Sequence, residues 1–241
     1  MKKLTVGSLF AGIGGIDLGL ERTGGFETVW QVEIDDYARR VLAKHWPNVR
    51  RWDDVRTFPP EPEDAWRCDV ICGGFPCQDI SDAGKKVGIK GERSGLWREF
   101  ARIICVLRPR YVVVENVAAL LDRGIGDVLG DLATIGYDAE WSVLSACAMG
   151  APHTRERVFI IANANRRVLR APGAYQDKAR SARLLVGGGC ETSRASSWWA
   201  AEPSVDSMVY GVPGVVDRLR PYGNAVVPQV AQWIGERILE A

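Results

Sequence analysis

Apolar positions along this chain fall into short blocks that alternate between strand-like runs and helical spacing. Leu4 to Phe10 is a nearly continuous apolar run and predicts a buried strand. Gly12 to Gly15 then turn the chain into a predicted helix carrying Ile16, Leu18 and Leu20, with Gly24-Gly25 as its stop. A second strand is predicted over Thr28 to Val32, ending at Glu33, and Asp35-Asp36 are placed to cap a helix through Tyr37, Val41 and Leu42. The alternation continues with a strand at Val70-Ile71-Cys72, a helix from about Leu96 to Leu107, a strand at Val112-Val113-Val114, a helix over Val128 to Ile135, and strands over Ala139 to Leu144 and Arg157 to Ala162. Strands alternating with helices predict an α/β fold with a doubly wound, mostly parallel sheet of Rossmann-like type. From Asn163 to Pro213 periodicity weakens and Arg, Ala, Ser and Gly dominate, which predicts a small irregular module. Helical spacing returns between Gly223 and Leu239, at Val226, Val230, Trp233, Ile234 and Ile238.

With 241 residues, 46% hydrophobic and 25% charged, the chain can bury a core for one α/β domain plus a small appendage. No run is apolar enough to cross a bilayer, and the start of the sequence lacks an export pattern, so a cytoplasmic protein is expected. Six cysteines lack paired spacing and there are two histidines, so no metal site is expected. The formal charge of +1 hides an asymmetry. Between Arg166 and Arg194 seven basic residues face two acidic ones, a local balance of +5 that reads as a polyanion-binding patch or as a solvated linker.

Three motifs carry candidate chemistry. Phe10-Ala11-Gly12-Ile13-Gly14-Gly15 lets backbone approach a ligand at a helix N-terminus, and Glu33 at the end of the next strand can accept both hydroxyls of a ribose. The G-x-G-G spacing favours an adenosine-containing cofactor over a dinucleotide, for which G-x-G-x-x-G is the usual form. Asp53-Asp54 can accept a hydrogen bond from an adenine amino group, or form a plain surface turn. Gly74-Phe75-Pro76-Cys77-Gln78 presents a thiol on a sharp turn after a strand, as a nucleophile or as a small core residue. Glu115 follows the adjacent strand, so Cys77 and Glu115 are expected to face one crevice at the carboxyl ends of the sheet. A thiolate adding to C6 of cytosine while the acid holds N3 turns C5 into a carbon nucleophile. Alternation along the next strand sends Arg155 and Arg157 to one face, suited to an anionic or carbonyl-bearing substrate.

Together these residues resemble the DNA (cytosine-5)-methyltransferase family of bacterial or phage type. The glycine motif resembles the family's first motif, Glu33 its second and Asp54 its third; Gly74 to Gln78 resemble its catalytic motif, Glu115-Asn116-Val117 its acid motif, and Arg155-Glu156-Arg157 its arginine motif. Gly223-Asn224-Ala225-Val226-Val227-Pro228 resembles the last motif, whose helix packs back beside the first. The resemblance implies S-adenosylmethionine held by Phe10, Ala11, Gly12, Gly14, Glu33, Ile34, Asp54, Val55, Pro76, Leu96, Asn224 and Ala225, with S-adenosylhomocysteine as product. It implies catalysis by Cys77, Glu115, Arg155 and Arg157 on a cytosine flipped out of double-stranded DNA, with DNA contacts from Gln78, Ser81, Lys85, Lys86 and Arg93. The Gly- and Lys-rich loop from Ile80 to Gly95 is expected to move until DNA is bound. A monomer is expected, with a restriction endonuclease as a cellular partner. Residues 1–162 plus 214–241 would form the catalytic and cofactor-binding domain, and 163–213 a reduced target-recognition module of about fifty residues. This chain departs from the family pattern at His153, where Gln is usual, and in the shortness of that module. Rival readings are a DNA-binding protein of this fold that no longer methylates, an RNA cytosine methyltransferase, and a nicotinamide oxidoreductase.

Overall fold

The computed structural model describes residues 2–76, 95–164 and 225–241. Seven strands form one sheet: β1 (Leu4–Leu9), β2 (Phe26–Val32), β3 (Arg50–Trp52), β4 (Val70–Gly74), β5 (Tyr111–Val117), β6 (Tyr137–Ser145) and β7 (Glu156–Ala164). Their order is β3-β2-β1-β4-β5-β7-β6. The pairs among β1 to β5 are parallel, whereas β7 runs antiparallel to both β5 and β6. The strand order reverses between β1 and β4, the place where an open α/β sheet leaves a crevice.

Helices α1 (Gly15–Arg22), α2 (Asp36–His45), α3 (Leu96–Leu107), α4 (Leu120–Arg123), α5 (Ile125–Ile135) and α6 (Pro228–Glu240) cover the two faces. Asp35 caps α2 as expected, its carboxylate accepting from the Ala38 N–H at 2.8 Å. On one face α3 buries Trp97, Phe100, Ile103, Ile104 and Leu107 against Val112, Val114, Val158 and Ile160. On the other, Ile16 and Leu20 of α1 and Val230, Ala231, Ile234 and Ile238 of α6 close over Val6, Val70, Cys72 and Val113. Each such Leu or Ile contributes about 1.5–3 kcal/mol relative to exposure. Helix α6 therefore packs beside α1, as the family resemblance implies. A Cβ on Gly19 would lie 2.2 Å from the Pro228 carbonyl oxygen and 2.5 Å from Ala231 Cβ, so this approach depends on the missing side chain.

Several boundaries differ from expectation. β5 continues through Glu115, Asn116 and Val117, because β7 pairs with all three and Gly74 pairs with Glu115. The sheet also takes in Asn163 and Ala164, two residues past the predicted edge of the irregular module. α6 starts at Pro228, whose fixed φ and missing N–H suit the first turn, so Val226 precedes the helix. In α1 the buried face is Ile16, Asp17, Gly19 and Leu20, while Leu18 is exposed. Residues 165–213 of the predicted module lie outside the described residues.

Candidate active site

Five parallel strands point their carboxyl ends to one crevice, and β7, being antiparallel, starts there. The turn after β1 is tightly wound. Phe10, Gly12 and Gly14 all take left-handed φ values of 52°, 56° and 85°. For Phe10, a residue with a Cβ, this costs on the order of 1–3 kcal/mol, and its ring is seated on Phe100 with centroids 6.3 Å apart. Glu33 leaves β2 beside this turn. Its carboxylate accepts from the Gly12 N–H at 2.7 Å and from the Asp35 N–H at 2.8 Å. Burial raises its pKa above the ordinary range, and those two N–H groups pull it partly back. Ile34 next to it is 65% exposed, an apolar side chain open to the crevice end of the sheet. Asp54 caps the turn Val55–Thr57 and pairs with Arg56 at 2.7 Å, whose hydrogen bonds hold its carboxyl below the usual range, while Val55 is buried.

The second half of the crevice is built on β4, β5 and β7. Glu115 is paired in register with Gly74 on one side and Phe159 on the other. Only 8% of the residue is exposed, and Arg157 Nε meets its Oε1 at 3.0 Å. Burial drives the Glu115 pKa from 4.5 to about 7, against the pull of Arg157 and Arg155. Both predicted arginines thus act on the predicted acid, although Arg155 lies just before β7 rather than within it. The Gly74 Cα faces the same carboxylate: a Cβ there would lie 2.4 Å from Glu115 Oε2. Asn116 braces the turn that follows β4, its side-chain amide donating to the Phe75 carbonyl at 3.1 Å. The segment Ala225–Val227 adjoins both halves. The Val226 carbonyl would lie 2.4 Å from a Cβ on Gly15, and Val226 and Val227 share a cavity of about 10 Å³ with Arg155 and Arg157.

Of the predicted site residues that are described, Phe10, Ala11, Gly12 and Gly14 follow β1, Glu33 and Ile34 follow β2, Asp54 and Val55 follow β3 and Pro76 follows β4, while Glu115 on β5 meets Arg157 on β7, with Arg155 just before that strand. Leu96 opens α3 and packs on the core, and Ala225 stands three residues before α6. Cys77, Gln78, Ser81, Lys85, Lys86, Arg93 and Asn224 lie outside the described residues, as does the predicted mobile loop up to Ser94. Sequence reasoning missed the Asn116 brace and the burial of Asp17. Asp17 shares a helical stripe with Ile16 and Leu20, so an acid on an apolar face was the available signal.

A family model for C-5 cytosine-specific DNA methylases matches residues 4–184. The chain belongs to that family. Among curated relatives, the Type II methyltransferase M.Bsp6I of Bacillus sp. (strain RFL6) is 39% identical over 164 residues, covering 66% of this chain and 51% of that protein. M2.BsuMI of Bacillus subtilis (strain 168) is 36% identical over 168 residues, covering 66% and 42%. The chain thus spans about half the length of the curated relatives it matches. Among solved structures, an E. coli prophage protein described as a DNA modification methyltransferase superposes with a TM-score of 0.57 at 28% identity, covering 67% of this chain and 47% of that one. The Dnmt2 methyltransferase of S. pombe shares the fold, with a TM-score of 0.59 at 20% identity over 73% of this chain and 56% of that one. Among the described residues no His, Cys, Asp or Glu group could hold a metal ion, and no helix is long and apolar enough to cross a membrane.

One consequence of the Gly74 contact is testable. Gly74→Ala must push the Glu115 carboxylate off its present position and away from Arg157, and a displacement of about 1 Å at a reacting group costs roughly 100-fold in rate. Single-turnover methyl transfer is expected to slow by about that factor. S-adenosylhomocysteine affinity, measured by calorimetry, should stay unchanged, because the neighbour that a Cβ on Gly74 meets is Glu115.

Proposed function

We propose that this chain transfers a methyl group from S-adenosylmethionine to C5 of cytosine in double-stranded DNA. The observation that carries the reading is Glu115, a buried carboxyl with a pKa of about 7 that is paired to Arg157 and set beside the end of β4, from which the Cys77 turn departs. The cofactor fits the other half of the crevice. Glu33 presents a half-buried, oriented carboxylate that retains acceptor capacity for ribose hydroxyls, the turn at Phe10 to Gly14 admits close backbone approach, and exposed Ile34 offers an apolar cover for a ring. When bound, S-adenosylmethionine supplies an electrophilic methyl group. Asp54 and Val55, with Pro76, Leu96, Asn224 and Ala225, complete the binding set.

The Cys77 thiolate adds to C6 of a flipped cytosine, forming an S–C6 bond and opening the C5=C6 double bond. Glu115 gives its proton to N3 as electron density moves toward the ring, and C5 becomes the carbon nucleophile. Arg157 and Arg155 hold the resulting carboxylate and face the substrate carbonyl. After C5 is methylated a base removes the C5 proton, the double bond re-forms, the thiolate leaves and N3 returns its proton to Glu115. Gln78, Ser81, Lys85, Lys86 and Arg93 are assigned to DNA contacts, and residues 163–213 to target recognition, now counted from residue 165 because β7 ends at Ala164. We place the protein in the cytoplasm of a bacterial or phage-infected cell as a monomer, alongside a restriction endonuclease of matching specificity. The test is incubation with labelled S-adenosylmethionine and unmethylated genomic DNA or transfer RNA, with base-resolution mapping. 5-Methylcytosine in one short DNA context is the expected result. Label only in transfer RNA would transfer the reading to RNA, and cofactor binding without either product would leave a binding protein.

A further inference from the structure

A buried carboxylate with no part in the chemistry above lies directly under the glycine turn. Asp17 is fully inaccessible to solvent and stands in the first turn of α1. One of its oxygens accepts from the Ser8 hydroxyl at 3.0 Å, and the other accepts from the Gln31 side-chain amide at 3.0 Å. Ser8 and Gln31 are themselves 1% exposed. They are register partners on β1 and β2, and Ser8 is the register partner of Cys72 on β4, whose buried thiol its hydroxyl also reaches. Three neighbouring strands thus present a polar row to one carboxylate, inside the otherwise apolar layer under α1 and α6. The positions along the chain give the row its meaning. Ser8 is two residues before Phe10, where the left-handed turn begins, and Gln31 is two residues before Glu33.

We propose that Asp17 is a positioning residue for cofactor binding, tying the root of the glycine turn to the root of Glu33 so that both meet the same ligand at a fixed separation. The inference rests on the reading of that crevice as the S-adenosylmethionine site. A purely apolar residue would fill the space between α1 and the sheet at lower cost. Burial pushes Asp17 from 3.8 to about 6 in spite of both hydrogen bonds, so the acid is held in an environment that opposes its charge. What the carboxylate adds is two directional bonds to two different strands. They add side-chain ties to the β1–β2 ladder and to the two bonds of the turn itself, the Gly12 N–H to Glu33 bond and the Ala11 N–H to Val32 carbonyl bond of 3.1 Å.

The experiment measures S-adenosylhomocysteine affinity by calorimetry and steady-state kinetics on the full chain, with thermal midpoints recorded to confirm folding. Asp17→Asn keeps an acceptor for Gln31 and a donor for Ser8, and its dissociation constant should stay within about threefold of wild type. Asp17→Ala leaves Ser8 and Gln31 without their partner and should weaken binding about tenfold or more. It should raise KM for S-adenosylmethionine while kcat at saturating cofactor and duplex DNA affinity hold. Gln31→Leu, which severs one of the two bonds, should weaken binding in the same sense should Asp17→Ala fail to fold. Unchanged affinity in a folded Asp17→Ala or Gln31→Leu, with only the thermal midpoint lowered, would overturn the lock. So would a loss confined to kcat. Wild-type protein that binds no S-adenosylhomocysteine would instead overturn the cofactor reading beneath it.

Discussion

Glu115→Gln is expected to lower kcat by about 10²–10⁴-fold and to remove the alkaline limb of the pH–rate profile. The amide can still donate a hydrogen bond to N3, so DNA binding should survive, but it has no proton to give as the ring takes up the thiolate. In wild type the carboxyl must be protonated when attack begins. With its pKa at about 7, a substantial fraction carries the proton at neutral pH, and that fraction falls as pH rises through this value. Activity should therefore decline on the alkaline side of 7. The same shift has a stability consequence of opposite sense to that of an ordinary surface acid. The folded pKa lies above the unfolded value of 4.5, so the stabilisation linked to Glu115 is fully present below pH 4.5 and is lost as pH rises through 7. Glu115→Gln should flatten that slope in thermal midpoints taken from pH 5 to 8. A glutamine variant that keeps wild-type rate and an unchanged alkaline limb would remove Glu115 from the proton inventory.

Why the pKa reaches 7 despite an arginine at 3.0 Å is a question of which effect wins. Arg157 and Arg155 both favour the anion, yet enclosure in the sheet removes the water that would stabilise it, and desolvation of a carboxylate exceeds what one imperfectly buried ion pair returns. Gly74 contributes to this enclosure. With no side chain it allows the Glu115 carboxylate to lie against the β4 backbone instead of turning outward. The residue that opens the cysteine motif therefore also sets the environment of the acid on the neighbouring strand.

The sequence carried the architecture well where hydrophobic period and position agreed. The helix from Leu96 to Leu107 and the cap at Asp35 were legible from apolar spacing and local polar signals, whereas the return of the last helix to the first was implied by the family resemblance of Gly223 to Pro228. Glu33 and Glu115 were legible as sites because each stands at or beyond the end of an apolar run, where an acid is costly without a purpose. The parts that were not legible depend on partners distant in sequence. Nothing in Glu115-Asn116-Val117 announces a strand, since the ladder that extends β5 comes from β7, some forty residues later. Ile16, Leu18 and Leu20, the apolar residues that mark α1 in the sequence, are spaced by two, which is a strand period. The helical period instead selects Ile16, Asp17 and Leu20, and the acid is tolerated inside because Ser8 and Gln31 from two other elements meet it. Positive φ at Phe10 was likewise invisible, because a bulky residue there is intrinsically disfavoured and only the surrounding turn and the Phe100 ring hold it.

Cys77→Ser is expected to carry the largest penalty of all, a loss of about 10³-fold or more in methyl transfer. A serine hydroxyl at neutral pH is almost wholly protonated, and without a dedicated base to take its proton it presents no nucleophile comparable to a thiolate. The two cysteines on and beside β4 do not substitute. Cys72 is buried with its thiol pushed well above the ordinary range by desolvation, and Cys68, close by, is pushed up to about 12 by the same cause. A direct readout uses DNA carrying 5-fluorocytosine at the target. Attack at C6 and methylation at C5 proceed, but the fluorine cannot leave as a proton does, so the S–C6 bond persists and protein and DNA migrate together under denaturing conditions. Wild type should give that adduct only when S-adenosylmethionine is supplied, and Cys77→Ser should give none while still binding duplex DNA. Cys77→Gly, which removes the side chain from the space beside the flipped base, should bind DNA at least as tightly as wild type. A denaturation-resistant adduct formed by Cys77→Ser would assign the attack to another residue, and the pairing of Glu115 with the turn after β4 would then need a different substrate.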